Sequence, residues 1–382
     1  MQELAPEAAL TAALGAVPGD ILSGPVGLAV SGGSDSLALM HHAAGWASAR
    51  GMKLLVLTVD HGLREGSATE ADDVAAAARR LNLDHQTLRW AEPVPRQSAA
   101  RRARHALLAS ALKAAGGHLL LTGHTADDQA ETFLIRARQG SGWYGLACMR
   151  DLSLSPVWPE GAGVWIARPL IRSRRSTLRR YLEGQGAGWT EDPSNLNPDF
   201  ERVRVRALLA GHPGLTGRVL ALQARFALLR VVEDAALADW TGNAVTSQEG
   251  GGITARFAGL PPDRAARALG VLIQCVSGRG TPPRSEALVA LSARLETPGF
   301  RGATLGGVRL RPGKAETLLR PEAARAGQAP SDGEIRARMA AFRRLYINSS
   351  QDIAAGSGKE SFLRDLAPIL PATDFSLVRD LT

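Results

Sequence analysis

Cysteine is nearly absent: Cys148 and Cys275 are the only two in 382 residues. That excludes a disulfide framework and every zinc-ligand spacing. Lysine is scarce as well, with Lys53, Lys113, Lys314 and Lys359 the only four among 45 basic residues. None sits in a Walker loop, because Gly313-Lys314 and Gly358-Lys359 are followed by Ala315 and Glu360 rather than Ser or Thr. No uninterrupted apolar run approaches the ~20 residues of a membrane span. The start, MQELAPEAALTAAL, carries Glu3 and Glu7 and lacks the basic, then apolar, order of a secretory signal. A soluble cytoplasmic protein without membrane contact is expected.

What is present is arginine. The formal net charge is +8 and the pI about 10.2. Guanidinium forks suit phosphate and carboxylate, so a nucleic-acid partner fits. An arginine-rich source genome fits equally, and composition leaves both open. Hydrophobic content of 45% and charged content of 21% are ordinary for a globular chain, and the length allows two or three domains.

The first 140 residues alternate between apolar runs and helical patterns. Val26–Val30, Leu54–Val59, His85–Trp90 and His118–Gly123 read as strands. Ser36 to Ala49, Ser67 to about Leu81, Gln97 to Ala115 and Ala126 to Arg138 read as helices, the second opening on a Ser67-x-x-Glu70 capping box. This order predicts an α/β fold with a parallel, doubly wound sheet. Ligands bind beyond the carboxyl ends of such strands, where Ser31–Ser36, Asp60-His61 and His124–Asp128 all lie. Residues 170–182 read as a basic helix and 190–209 as a turn before a basic strand or helix. After Gly211 a long amphipathic helix, a second helix from Leu260 and a hairpin near 300–313 suggest a smaller, mostly helical α+β domain. The boundaries are drawn at 1–210, 211–330 and 331–382, the last without assigned structure.

The loop Ser31-Gly32-Gly33-Ser34-Asp35-Ser36 joins a strand to a helix. Its glycines permit a tight turn, and the helix N-terminus offers free N–H groups to an anion. Read alone, it is more readily a polar turn in which Ser34 or Asp35 caps the helix. His124, Asp127, Asp128 and Glu131 form a second polar cluster, with the carboxylates three and four apart. Arg101 and Arg104, three apart, suit phosphate, whereas Arg102 reads as solvated surface.

With no lysine beside it, the loop resembles the pyrophosphate loop of ATP pyrophosphatases. A carboxylate beside phosphate is repulsive unless a cation intervenes, so Asp35 fits a Mg2+ contact there. Val59-Asp60-His61-Gly62-Leu63-Arg64, Gly123–Thr132, Gly140-Ser141-Gly142 and the run from Arg168 to Leu182 extend the likeness. So do Trp189–Asn195 and Phe200–Arg206. Over about residues 24–210 the chain resembles the tRNA(Ile)-lysidine synthetases, whose sheet is of the adenine nucleotide alpha hydrolase type. The resemblance implies ATP and Mg2+, an isoleucine tRNA with a CAU anticodon, and L-lysine. It implies adenylation of C2–O on the wobble cytidine, then attack by the lysine amine with AMP leaving, and it allows a homodimer. Carried over residue by residue, Ser31–Ser36, His61 and His124 would bind ATP. Asp35 and Asp128 would hold Mg2+ and, with Arg104 and Arg206, form the catalytic set. Asp60 and Glu131 would receive the lysine ammonium. Two positions depart from the family: His105 stands where tyrosine is frequent, and Val203 where asparagine is. Residues 211–382 would recognise the tRNA body, with Arg218, Arg225, Arg230, Arg264, Arg267, Arg284, Arg309 and Arg311 as loose candidates.

Three other readings stay open. A tRNA thiolating enzyme would need reactive cysteines, and Cys148 and Cys275 lie in apolar contexts. A small-molecule amide-forming pyrophosphatase would not need tRNA. A non-catalytic RNA-binding module leaves the clustered carboxylates unexplained, since they repel RNA.

Overall fold

The structure, a computed structural model, describes residues 5–15, 17–60, 62, 67–91, 97–191, 197–212, 214–249, 251–295, 297–322 and 330–355. The chain divides into two compact units, with the break after Arg230 and with Pro156–Pro159 belonging to the second.

In the first unit α1 (Pro6–Gly15) precedes the alternating run: β1 (Val26–Ala29), α2 (Ser34–Ser48), β2 (Leu54–Asp60), α3 (Ser67–Arg80), β3 (Asp84–Arg89), α4 (Gln97–Ala114), β4 (Leu119–Thr122) and α5 (Ala126–Arg138). A single turn, α6 (Trp143–Leu146), leads to β5 (Leu152–Leu154) and β6 (Trp165–Ala167), then α7 (Arg175–Gly184) and α8 (Glu201–Gly211). The sheet order is β3-β2-β1-β4-β6-β5. All neighbours are parallel except β5, which runs antiparallel to β6 and closes one edge. The expected parallel, doubly wound sheet is therefore present, with one reversed edge strand joined by a short connection. Leu57, Leu108, Leu112, Leu120 and Ile166 bury its core under α4. From β1 the chain winds outward through β2 and β3, then returns to the other side of β1 as β4. Strand order reverses between β1 and β4, which opens a crevice at their carboxyl ends.

The helix read over 170–182 starts only at Arg175. Two turns precede it, Ile171 N–H donating to the Arg168 carbonyl at 3.1 Å and Ser173 N–H to that of Leu170 at 2.9 Å. Pro169 biases its neighbour away from helical backbone. The segment after 190 resolves as a helix, α8, rather than a strand.

The helix α9 (Leu215–Ala244) explains why the units part after Arg230 and not near Gly211. Its first half packs Val219 and Leu220 against Ala126, Ala130 and Phe133 of α5. Gln223 and Arg230 donate to the carbonyls of Ala147 and Cys148 at 2.9 and 2.7 Å. An apolar face of α9 thus belongs to the first core, a fact that helix periodicity alone does not reveal.

The second unit holds β7 (Val245–Gln248), β8 (Gly252–Ala255), α10 (Pro262–Ser277), α11 (Ser285–Leu295), β9 (Ala303–Leu305), β10 (Val308–Pro312), β11 (Thr317–Pro321) and α12 (Asp332–Ala355). Its strands form one antiparallel sheet, β7-β8-β11-β10-β9, including the hairpin read near 300–313. The helix α12 lies within the segment left unassigned. Its signal was present: Ser331 and Glu334 form a capping box, Ser331 N–H and Oγ–H donating to Glu334 Oε2 at 2.6 and 2.9 Å. Ile335 and Met339, one turn apart, are buried. Among the described residues no helix is long and apolar enough to cross a membrane.

Candidate active site

A cavity of about 1040 Å3 opens at the carboxyl ends of β1, β2 and β4. The loop after β1 forms one wall. Gly32 has φ +84°, a left-handed conformation open to glycine, and its carbonyl accepts the Thr190 N–H at 3.0 Å. The Ser36 hydroxyl ties the loop, accepting from Ser31 N–H at 3.2 Å and donating to the Gly33 carbonyl at 2.9 Å. The N-cap of α2 is Gly33, and no side chain caps it. Ser34 and Asp35 lie inside the first turn, so neither is the cap. The first N–H groups of α2 therefore stay available to an anion at the positive end of the helix.

Gly123, after β4, faces this loop so closely that a Cβ there would sit 2.9 Å from the Asp35 carbonyl oxygen. The close approach brings the Asp128 helix against Asp35. Thr125 caps α5 through a reciprocal box: Thr125 N–H and Oγ–H donate to Asp128 Oδ2 at 2.9 and 2.8 Å. Asp128 is a capping residue and a cavity residue at once, since its Oδ1 faces Arg175 Nη2 at 3.4 Å.

Arg175, first residue of α7, binds three carboxylates. Its Nε meets Asp35 Oδ2 at 2.8 Å, its Nη2 Asp128 and its Nη1 Glu131 Oε1 at 3.3 Å. Burial opposes the charge of Arg175, but Asp35, Asp128 and Glu131 outweigh it and hold the guanidinium above its ordinary value. Burial raises the Asp35 carboxyl above the usual range against the pull of Arg175. For Asp128 burial acts the same way, yet Arg175 and the Thr125 bonds prevail and keep the group low.

Glu131 is 1% exposed and enclosed by guanidiniums: Arg206 Nε at 2.9 Å, Arg202 Nε at 3.3 Å and Arg175. It does not line the cavity, whereas Arg101, Arg104, Arg202 and Arg206 do. Arg104 is pushed below the ordinary guanidinium value by burial, then by Arg101 and Arg202. Like charges gathered along one wall of the cavity favour an anionic occupant. His124 also lines the cavity; its Nδ1 pairs with Thr122 Oγ1 at 2.9 Å, and burial, then Arg168, pushes its pKa down to about 3. His105 is 6% exposed with neither ring nitrogen hydrogen-bonded among the described residues, and burial, then Arg104 and Arg101, lowers it to about 3. Both rings are neutral near pH 7.

Of the sequence-predicted residues, Ser31, Gly33, Ser34, Asp35, Ser36, Arg104, His124, Asp128 and Arg206 line one cavity. Asp60 does not; at the end of β2 its Oδ1 accepts the Gly62 N–H at 2.9 Å. His61 lies outside the described residues, as do Leu63, Arg64 and 192–196. Reading the sequence residue by residue missed Arg175, Arg179 and Glu191. Arg179 Nη2 meets Glu191 at 2.6 Å and both line the cavity. The signals for them were the density of arginine in 168–182 and the place of all three in the runs Arg168–Leu182 and Trp189–Asn195 that extend the family likeness.

Mg2+ fits this donor set. Two hard carboxylates from separate strand ends converge on a point where a guanidinium now sits, so a positive charge is favourable there. Neither cysteine approaches the chemistry a thiolating enzyme needs. Both are buried, and burial pushes the Cys148 thiol up to about 11 and that of Cys275 up to about 12.

Residues 13–212 match a PP-loop domain. A tRNA(Ile)-lysidine synthase from Hyphomonas neptunium is 54% identical over 364 residues, covering 95% of this chain and 98% of its own. One from Mesorhizobium japonicum is 40% identical, covering 72% of this chain and 63% of its own. One from Caulobacter vibrioides is 35% identical, covering 81% and 70%. The PP-loop match includes every residue lining the cavity and the first relative is aligned over 95% of the chain, so the chain belongs to the tRNA(Ile)-lysidine synthase family of PP-loop proteins.

Proposed function

We propose that the protein ligates lysine to C2 of the wobble cytidine of the AUA-decoding isoleucine tRNA, using ATP. The single observation that carries this reading is the meeting of an uncapped helix start, two carboxylates and an arginine wall in one cavity of a PP-loop sheet. ATP enters at the strand ends. The α2 N–H groups and the loop serines receive its phosphates. Asp35 and Asp128 would hold Mg2+, which supplies charge neutralisation on those phosphates.

The cytidine C2 oxygen attacks the α-phosphorus and diphosphate leaves. Arg104 and Arg206 face the charge that builds at phosphorus, and Glu131 holds Arg206 in place. The lysine ε-amine then attacks C2, AMP leaves with the oxygen, and the product decodes AUA in place of AUG. No protein nucleophile is required. Neither Asp60 nor Glu131, the acids that the family resemblance assigns to the lysine ammonium, lines the cavity, and Glu131 is already held by three arginines.

The second unit would contact the tRNA body. Of the candidate arginines, Arg264 and Arg267 are already paired with Glu233 and Asp234 at 3.0 and 2.7 Å, and Arg230 is buried. Exposed Arg284, Arg309 and Arg311 are the better contacts. Such an enzyme works in the cytoplasm, where its tRNA is, and a homodimer is compatible with it.

The test is incubation with ATP, Mg2+, labelled lysine and total tRNA. Label entering tRNA with matching AMP release is expected. ATP turnover independent of tRNA would point instead to a small-molecule ligase.

A further inference from the structure

The carboxylates assigned to Mg2+ are already engaged. Arg175 Nε lies 2.8 Å from Asp35 Oδ2, and its Nη2 lies 3.4 Å from Asp128 Oδ1. A metal bridging those carboxylates and a guanidinium placed between them would require the same space, and each repels the other. Every cation in the cluster is therefore in competition for the same charge. The three acids do not depend on Arg175 equally. Glu131 keeps Arg202 and Arg206, and Asp128 keeps its two bonds from Thr125. Asp35 has Arg175 as its only ion-pair partner among the described residues.

The anchoring of Arg175 favours exchange. Its backbone N–H donates to Asp127 Oδ2 at 2.8 Å, and Arg174 Nη2 and Nε hold both oxygens of Asp127 at 2.9 and 3.2 Å. The start of α7 is thus pinned by a carboxylate outside the cluster. The contacts that hold the start of α7 are therefore separate from those of the Arg175 side chain.

We propose that Arg175 is the resident counter-ion of the Asp35–Asp128 pair and excludes Mg2+ from it until nucleotide arrives. The inference rests on the placement of Mg2+ at Asp35 and Asp128 given above. Nucleotide phosphate offers the guanidinium an alternative partner in the same cavity, beside the α2 N-terminus. It also adds the negative charge that makes a second cation favourable. Arg175 is in this account a positioning residue: it preassembles the acids and orders metal binding after ATP.

Mn2+ bound to the full chain, followed by electron paramagnetic resonance, reads this without turnover. Wild-type protein is expected to bind Mn2+ weakly alone and about tenfold or more tightly with a non-hydrolysable ATP analogue. Arg175→Met should bind Mn2+ without nucleotide about tenfold or more tightly than wild type, and the nucleotide effect should shrink accordingly. If Arg175→Met does not fold, Arg175→Lys, a shorter cation without the planar fork, should show the same change in smaller measure. Equal nucleotide-free affinity in wild type and variant overturns the counter-ion role. The metal placement is judged separately: Asp35→Asn should weaken Mn2+ binding in the presence of the analogue. If it does not, the placement fails whatever Arg175 does.

Discussion

Asp35 separates a cradle from a cap. The α2 N-cap is Gly33, and the Asp35 carboxylate points to Arg175 instead of to the helix's own N–H groups. Asp35→Asn should lower tRNA adenylation about 100-fold or more while the thermal midpoint moves little. Activity near wild type with intact folding would remove Asp35 from the mechanism. Glu131 has a different standing, being buried under three guanidiniums. Glu131→Gln should cost about 2–3 kcal/mol in urea unfolding, less than a fully buried pair because Arg202 and Arg206 keep contact with water. His105 and His124 add a pH signature. Their pKa values near 3 lie below the ordinary 6.5, so the unfolded chain binds protons first as pH falls. Stability should therefore drop from pH 6.5 downward, by roughly 2 kcal/mol per histidine at about pH 5. His105→Tyr should remove the His105 share of that slope, roughly 2 kcal/mol at about pH 5, in a series of urea melts. An unchanged slope would mean that His105 is protonated in the folded protein.

At the scale of elements, the crevice exists because β4 returns to the far side of β1 and Gly123 lets the two loops touch. Gly123→Ala would drive a Cβ against the Asp35 carbonyl. It should weaken ATP binding about tenfold and cost about 1–3 kcal/mol, read by calorimetry and by thermal melting. Much of this frame was legible in the residues. Apolar runs of four to seven residues between helical patterns mark β1, β2 and β4, and the polar clusters fall at their carboxyl ends. Arg175 was not legible, because it meets Asp35 across 140 positions and only the winding of the sheet joins them. The reversal of β5 was hidden for another reason: three residues carry no directional signal. For α9, periodicity shows an apolar face but not that α5 covers its first half.

Over the whole molecule, the surplus of positive charge is unevenly employed. Some arginines are paired with Glu131, Asp127, Glu233 and Asp234. The free remainder includes Arg309 and Arg311, two apart on the exposed face of β10, with Arg309 directly opposite Arg320 on β11. Like charges opposed across strands are unfavourable alone and become favourable against a phosphate backbone. The double variant Arg309→Ser, Arg311→Ser should weaken tRNA binding several-fold and lower the salt slope by about 1–2. ATP binding should not change. An unchanged salt slope would take this face out of the tRNA interface.

Adenylation of the tRNA in this cavity is the step on which the reaction turns. It is tested most directly with ATP labelled in the α-phosphate, tRNA and Mg2+, with lysine withheld. Label should accumulate on tRNA with wild-type protein, fail to do so with Asp35→Asn, and leave as AMP when lysine is added. AMP formed without tRNA, or lysine joined to tRNA that never carries the label, would contradict the account.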